Sequence, residues 1–134
     1  MEIFKAKATL KNLRLFLEFV KKFAQKKGFN AETSYALVLV AEEILVNIVN
    51  YAYPHKEGGE VEIKLSISNN IFLICIIDEG VPFNITSVKD PDITLTLAKR
   101  NIGGMGVYIV KSFMDEINYE RNRNRNILTL AKYC

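Results

Sequence analysis

The stretch AEEILVNIVNYAYPH, residues 41–55, decides how the chain folds. It continues the apolar run ALVLVA of residues 36–41, and it is apolar on most sides of a helix. Glu43, Asn47 and Asn50 interrupt it at intervals of four and three residues. With an advance of about 100° per residue, these three polar side chains fall within about 60° of one another. A helix that is apolar on its other faces is central to a core.

The polar stripe on this helix has to face something that accepts it. Burying the Glu43 carboxylate without a partner costs roughly several kcal/mol. The stripe therefore faces solvent, an internal polar network, or a ligand cavity, and this segment alone leaves all three open. Glu42, about 100° away on the helix, could equally be the exposed acid.

The other elements follow from periodicity and from turn residues. The chain begins with a strand in 1–10, an amphipathic helix in 10–28, and a helix from about 31 to 53 that is capped by Asn30 and ended by Pro54. A hairpin of 61–68 with 71–78 follows, and then a long loop over 80–103 with a short helix near 94–100. The last elements are a helix from about Gly104 and a second hairpin of 116–121 with 126–133. Hairpins outnumber possible parallel crossovers. The order predicts an α/β two-layer sandwich, with a mixed, mainly antiparallel sheet and three helices on one face.

Composition limits the class of protein. The 134 residues predict one domain over 1–134. The hydrophobic share of 49% and charged share of 25% are those of a globular protein. A net charge of +3 is too small to indicate nucleic-acid binding. The apolar run IFLICII at 71–77 is far shorter than the roughly 20 residues of a membrane helix. With no signal-peptide pattern at the start, we expect a cytoplasmic protein without a membrane partner.

Two more segments carry residues suited to a ligand. DEGVPFN, residues 78–84, places Asp78 at the end of a buried strand, where carboxylates often bind ligands, although an ordinary turn is the commoner interpretation of this pattern alone. NIGGMGVYIVKSF, residues 101–113, opens a helix with three glycines, as phosphate sites do. It lacks the P-loop lysine and the strand that precedes a dinucleotide-binding fingerprint.

Together and in this order, the three segments resemble the N, G1 and G2 boxes of the GHKL ATP-binding superfamily, whose fold is the Bergerat fold. The matching stretches are EILVNIVNYAY, DEGVPFN and GGMGVYIVKSFMDEINYER. The details NYAY, DEG-x-PF and GG-x-G resemble one branch in particular, the bacterial anti-sigma-factor serine/threonine kinases of the RsbW type. The resemblance covers about residues 30–132.

The resemblance implies roles for individual residues. Glu43 would be the general base or the carboxylate that positions water, and Asn47 would bind Mg²⁺. Asp78 would accept a hydrogen bond from the adenine amino group of ATP or ADP. Gly80 would let the base pack closely, and Thr129 would support Asp78 and the adenine through water.

The phosphates and the lid are implied in the same way. A mobile lid over about 84–103 would carry glycines that cradle the phosphates. The further pocket residues implied are Asn50, Phe83, Gly103, Gly104, Met105 and Gly106. Ile102 stands where some members have an arginine, and Lys99 and Arg100 lie close by.

The activity implied is transfer of the γ-phosphoryl group of ATP to a serine or threonine of an anti-anti-sigma (STAS-type) partner. The protein would also hold a sigma factor inactive, and it would be a homodimer. Ile102 leaves open a non-catalytic, ATP-dependent switch that sequesters a partner. A third hypothesis is the ATP-binding domain of a histidine kinase. ERNRNRN, residues 120–126, is interpreted as a solvated hairpin tip, with a nucleic-acid patch as the alternative.

Overall fold

The computed structural model describes residues 1–54, 58–87 and 102–134, with the backbone alone for 102–105. Its helices and strands are β1 (Glu2–Lys7), α1 (Leu10–Lys26), α2 (Ala31–Asn47), a π-helical turn (Ile48–Ala52), β2 (Glu60–Ser68), β3 (Ile71–Asp78), a 3₁₀ turn (Ile85–Ser87), α3 (Ile102–Phe113), β4 (Glu116–Asn122) and β5 (Arg125–Tyr133). The strands form one five-stranded sheet in the order β1-β2-β3-β5-β4. All four strand pairs are antiparallel. The predicted α/β two-layer sandwich with three helices is confirmed, and its sheet is antiparallel throughout the described strands.

Side-chain caps fix where the first two helices begin. The Thr9 hydroxyl accepts a hydrogen bond from the Asn12 backbone N–H at 3.1 Å, at the start of α1. The Asn30 side chain accepts from the Thr33 N–H at 2.8 Å, which confirms the predicted cap of α2. Gly28, with φ +87°, takes the left-handed conformation that ends α1.

The core lies between α2 and the inner face of the sheet. The buried residues of α2 include Leu37, Val40, Ala41, Ile44 and Leu45. Alternation in β2 and β3 points Ile63, Leu65, Phe72, Ile74 and Ile76 toward them. By length and composition alone, the 22 helical residues Ala31–Ala52, with a mean hydropathy of 1.4, could cross a membrane. In this fold they form the core helix, because their apolar side chains pack against the sheet and α1.

The sequence predicts one uninterrupted helix to residue 53, but its last turn, Ile48–Ala52, is π-helical. A π turn is wider, so each residue advances by less than in an α-helix. Tyr51 and Ala52 line the cavity beside this turn, whereas Asn50 is exposed and is not among the described lining residues. A role of Asn50 near the phosphates stays a prediction.

Residues with positive φ form the turns of both hairpins. Asn69 and Asn70 have φ of 52° and 62°, as a tight hairpin turn requires. In the second hairpin the left-handed residue is Arg123, with φ 58°. The helix expected near 94–100 and most of the expected lid lie outside the described residues. Helix α3 begins at Ile102, two residues before the predicted start.

Candidate functional site

A cavity of about 380 Å³ opens where α2 ends, beside the end of β3 and the start of α3. It is mostly apolar, with walls that include Ile44, Ile76 and Val107. Three residues that the sequence singled out line it, namely Asn47, Asp78 and Phe83. Its size and its few convergent polar groups are those of a small-molecule site.

Within the described residues, one carboxylate oxygen of Asp78 accepts hydrogen bonds and the other accepts none. It is 6% exposed. Its Oδ1 accepts hydrogen bonds from the Gly80 N–H at 2.8 Å and from Asn126 Nδ2 at 2.9 Å. In the described part of the chain, no completely buried polar side-chain atom lacks a partner. Asp78 lines the cavity, and no described residue donates to its Oδ2, so Oδ2 is the oxygen with capacity to accept a hydrogen bond from a ligand.

Burial raises the pKa of Asp78 above its ordinary value of 3.8. The hydrogen bonds from Asn126 and Gly80 and the charge of Arg121 oppose that effect, because each favours the carboxylate. These three neighbours therefore limit the electrostatic cost of keeping an acceptor in an apolar cavity.

Gly80 is required by the protein itself. A Cβ added there would overlap the carbonyl oxygen of Ala52 at the end of the π turn. The next N–H, that of Val81, donates to the same oxygen at 2.8 Å. The bare face of Gly80 is turned to Ala52, and the expectation that Gly80 also makes room for a base stays a prediction. The close approach ties the end of the π turn to the loop that follows Asp78.

Glu43 and Asn47 lie one helical turn apart on α2, but Glu43 is not among the described residues that line the cavity. Asn47 lines the cavity. The Glu43 carboxylate contacts Gly106, where a Cβ would overlap its Oε2. Burial, followed by repulsion from Glu42, raises the pKa of Glu43 above its ordinary value of 4.5. The position of Asn47 therefore favours a ligand cavity, and Glu43 lies against α3 beside that cavity.

The donor set suits a magnesium ion held mainly by its ligand. In residues 1–54, 58–87 and 102–134, no group of three or more His, Cys, Asp or Glu side chains could form a metal cage. Mg²⁺ usually keeps several waters and phosphate oxygens, and takes few protein ligands. The Asn47 amide oxygen, at the cavity wall, is one oxygen that fits this chemistry.

Thr129 does not lie in the cavity, and the prediction that it supports Asp78 is wrong. Neighbouring residues of a strand alternate between the two faces of a sheet. Asn126 and Leu128 face the cavity, so Thr129 lies on the outer face. There its hydroxyl contacts Cys75 Sγ at 3.9 Å. The side chains of Gly103, Gly104 and Met105 lie outside the described residues.

Sequence reasoning missed the polar group behind Asp78. Asn126 is paired with Asp78 across β3 and β5, and with Arg121 across β4 and β5. The Asn126 Oδ1 accepts from Tyr119 OH at 2.5 Å and from Arg121 Nη1 at 3.1 Å. The interpretation of 120–126 as a solvated tip therefore fails at Arg121 and Asn126. The alternation with Leu128 and Leu130 was only a partial signal, because Ile127 is apolar as well.

Residues 6–132 match the model of the histidine kinase-like ATPase domain. The chain belongs to this family. A domain of this family binds ATP or ADP. A relative from Oceanobacillus iheyensis named serine-protein kinase RsbW is 27% identical over 114 residues, which are 82% of this chain and 72% of the relative. Another from Bordetella bronchiseptica, named serine/threonine-protein kinase BtrW, is 26% identical over 117 residues, 87% of this chain and 82% of the relative.

Solved structures share the fold of this ATPase domain. The RsbU and RsbW domains of Rv1364c from Mycobacterium tuberculosis match with a TM-score of 0.65 and 14% identity, over 99% of this chain and 32% of that one. The histidine kinase domain of the blue-light activated kinase EL346 from Erythrobacter litoralis matches with a TM-score of 0.56 and 19% identity, over 96% of this chain and 64% of that one. At these identities the likeness establishes the fold alone.

Proposed function

We propose that this ATPase domain is a serine/threonine protein kinase that phosphorylates an anti-anti-sigma (STAS-type) partner and sequesters a sigma factor. The observation that carries the proposal is one cavity shared by Asn47 and Asp78, with Glu43 beside it against α3. The names of the relatives, serine-protein kinase RsbW and serine/threonine-protein kinase BtrW, support this reaction.

Asp78 and Phe83 are the residues proposed to hold the base. The free Oδ2 of Asp78 accepts a hydrogen bond from the adenine amino group. Phe83 is 44% exposed at the cavity wall, so its ring can cover one side of the base. The apolar walls exclude water, which strengthens the single polar contact.

Glu43 is proposed as the proton acceptor of the transfer step. As the γ-phosphoryl group of ATP passes to the acceptor hydroxyl, the bond to ADP breaks, a bond to the seryl or threonyl oxygen forms, and the hydroxyl proton moves to Glu43 Oε2. The raised pKa of Glu43 suits a general base, since it brings the carboxyl closer to neutral pH. Mg²⁺, when bound by Asn47 and the phosphates, supplies neutralisation of the phosphate charge.

The phosphates are proposed to lie at the N-terminus of α3, where the first turn of a helix presents free N–H groups. Gly106, in the described part of this helix, is the contact of Glu43. This contact supports Glu43 as a base next to the helix proposed to hold the phosphates. The roles of Gly103, Gly104 and Met105 in that cradle remain part of the proposal.

Two assays test the proposal. In a thermal-unfolding assay, ADP with magnesium at about 100 times its dissociation constant adds about 2.7 kcal/mol of stability. No shift at millimolar nucleotide contradicts nucleotide binding. In the second assay, wild type and Glu43→Ala are incubated with Mg-ATP and the anti-anti-sigma partner, and phosphoserine is measured. We expect Glu43→Ala to bind ADP and to lose transfer, whereas undiminished transfer refutes the assigned role.

The alternative is a non-catalytic, ATP-dependent switch that sequesters its partner. Ile102, at a position that is arginine in some kinases of the resembled branch, favours it. The same phosphoserine assay separates the two, because the switch binds its partner in an ATP-dependent manner without modifying it. A cytoplasmic location and a homodimer belong to both versions of the proposal.

A further inference from the structure

A row of polar side chains crosses three strands behind the cavity. Asp78 on β3 is directly opposite Asn126 on β5, and Asn126 is directly opposite Arg121 on β4. Tyr119 precedes Arg121 by two residues, on the same face of β4. All four side chains meet through hydrogen bonds at Asn126. A sheet face that elsewhere buries Leu and Ile thus carries one connected polar group.

The orientation of the Asn126 amide is fixed by its neighbours. Its Nδ2 donates to Asp78 Oδ1 and to the Val81 carbonyl, each at 2.9 Å. Its Oδ1 accepts from Tyr119 OH at 2.5 Å and from Arg121 Nη1 at 3.1 Å. A guanidinium can only donate and a carbonyl can only accept, so a flipped amide would lose these bonds.

Asn126 is saturated by these contacts. Both of its N–H bonds and both lone pairs of its oxygen are used within the protein. It therefore has no capacity left for a ligand, although it forms part of the cavity wall. Its contribution is to occupy Asp78 Oδ1 together with the Gly80 N–H, which leaves Oδ2 as the oxygen of Asp78 that can still accept a hydrogen bond from a ligand.

Arg121 also holds the loop that follows β3. Its Nη1 also donates to the Gly80 carbonyl at 2.7 Å. Gly80 is thereby held on both sides, with its N–H on Asp78 and its C=O on Arg121. These hydrogen bonds consequently join the Asp78 side chain and the turn that follows it to β4, one of the two edge strands of the described sheet.

We propose that Asn126, Arg121 and Tyr119 are positioning residues that hold Asp78 so that only its Oδ2 is left to accept a hydrogen bond from a ligand. They would thereby determine the selectivity of the cavity for a base with an exocyclic amino group. An adenine donates to Asp78 Oδ2, whereas a base with a carbonyl at the same position places two acceptors face to face. Sites built to hydrogen-bond one group discriminate strongly against analogues that lack it. This inference rests on the proposed nucleotide binding and adds the residues that determine which nucleotide is bound.

The test compares ADP with inosine diphosphate (IDP), whose base has an oxo group where adenine has the amino group and an N1–H where adenine has an unprotonated ring nitrogen. Titration calorimetry gives the ratio of the two dissociation constants. For wild type we expect ADP to bind at least about 100-fold more tightly than IDP. In Asn126→Ala and in Tyr119→Phe we expect ADP affinity to fall while IDP affinity changes little, so that the ratio drops about tenfold in the former and less in the latter. Asn124→Ala, at the exposed tip of the same hairpin, is the matched control and leaves the ratio unchanged.

Asp78→Asn gives a second, independent measurement. Gly80 N–H and Asn126 Nδ2 are both donors, so they hold the new amide oxygen at the Oδ1 position and turn its NH₂ group toward the cavity. IDP should then bind more tightly than ADP. If Asp78→Asn still prefers ADP, or if Asn126→Ala and Tyr119→Phe weaken both nucleotides equally, the positioning role is overturned. Absence of ADP binding by the wild type overturns the proposed function and this inference together. Should Asn126→Ala not fold, Tyr119→Phe and Asp78→Asn decide the outcome.

Discussion

Gly80→Ala distinguishes a structural reason for this glycine from a ligand-based one. The nearest side-chain atom to the added methyl group would be Ala52 Cβ at 2.5 Å, and the nearest backbone carbon would be Ala52 C at 2.8 Å. Contacts of a Cβ shorter than 3.0 Å are essentially never seen, so the π turn and the loop must move apart. Overpacking of this kind costs about 1–3 kcal/mol.

The same movement strains the hydrogen bond from Val81 N–H to the Ala52 carbonyl, now 2.8 Å long. Loss of such a bond adds about 0.5–1.5 kcal/mol. We therefore expect Gly80→Ala to lower the free energy of unfolding by about 2–4 kcal/mol. For a chain of 134 residues, about 3–5 °C per kcal/mol corresponds to a fall in Tm of about 6–20 °C.

Urea unfolding of the nucleotide-free protein measures this effect. We expect a lower midpoint with an unchanged slope. Ala52→Gly in the same background is the matched control, and it should restore only part of the loss because the Ala52 carbonyl remains in the way. Wild-type stability of Gly80→Ala combined with weakened ADP binding would refute the reasoning, since Gly80 would then serve the base alone.

Three further predictions concern the site. Glu43→Gln should raise the free energy of unfolding at pH 7. The pKa of Glu43 is higher in the folded state than in the unfolded chain, so ionisation of Glu43 lowers the stability of the wild type as pH rises through the window that begins near 4.5. Urea unfolding of the variant should therefore show a gain in stability over the wild type at pH 7 and none at pH 4. Phe83→Ala should weaken ADP binding about five- to tenfold, because the ring is proposed to pack on the base. The Tm of the nucleotide-free protein should not change, because the ring is 44% exposed. Unchanged affinity in calorimetry would place Phe83 outside the base site. Gly106→Ala should displace the Glu43 carboxylate, so we expect phosphotransfer to fall at least about tenfold while ADP affinity changes less than twofold; equal losses in both assays would contradict the separation of the two roles.

The sequence by itself determined the layers and the three segments that form the site. Amphipathic periodicity, the Asn30 cap and the Asn69–Asn70 turn act within a few residues, so they can be read directly from the chain. The central position of α2 followed from its apolar composition for the same reason. Asp78 was identified correctly as a cavity residue, because a carboxylate at the end of a buried strand lies where the chain passes into a loop.

Only the tertiary structure decided which residues support Asp78. In β5, both Ile127 and Leu128 are apolar, so alternation alone did not establish whether Asn126 or Thr129 faces the helices. Pairing with β3 and β4 settles this, because the register places Asn126 opposite both Asp78 and Arg121. The π turn and the contact of Gly80 with Ala52 depend likewise on how α2 meets the loop after β3. Local patterns specify elements, whereas contacts between residues distant in the chain depend on register and packing that no single segment encodes.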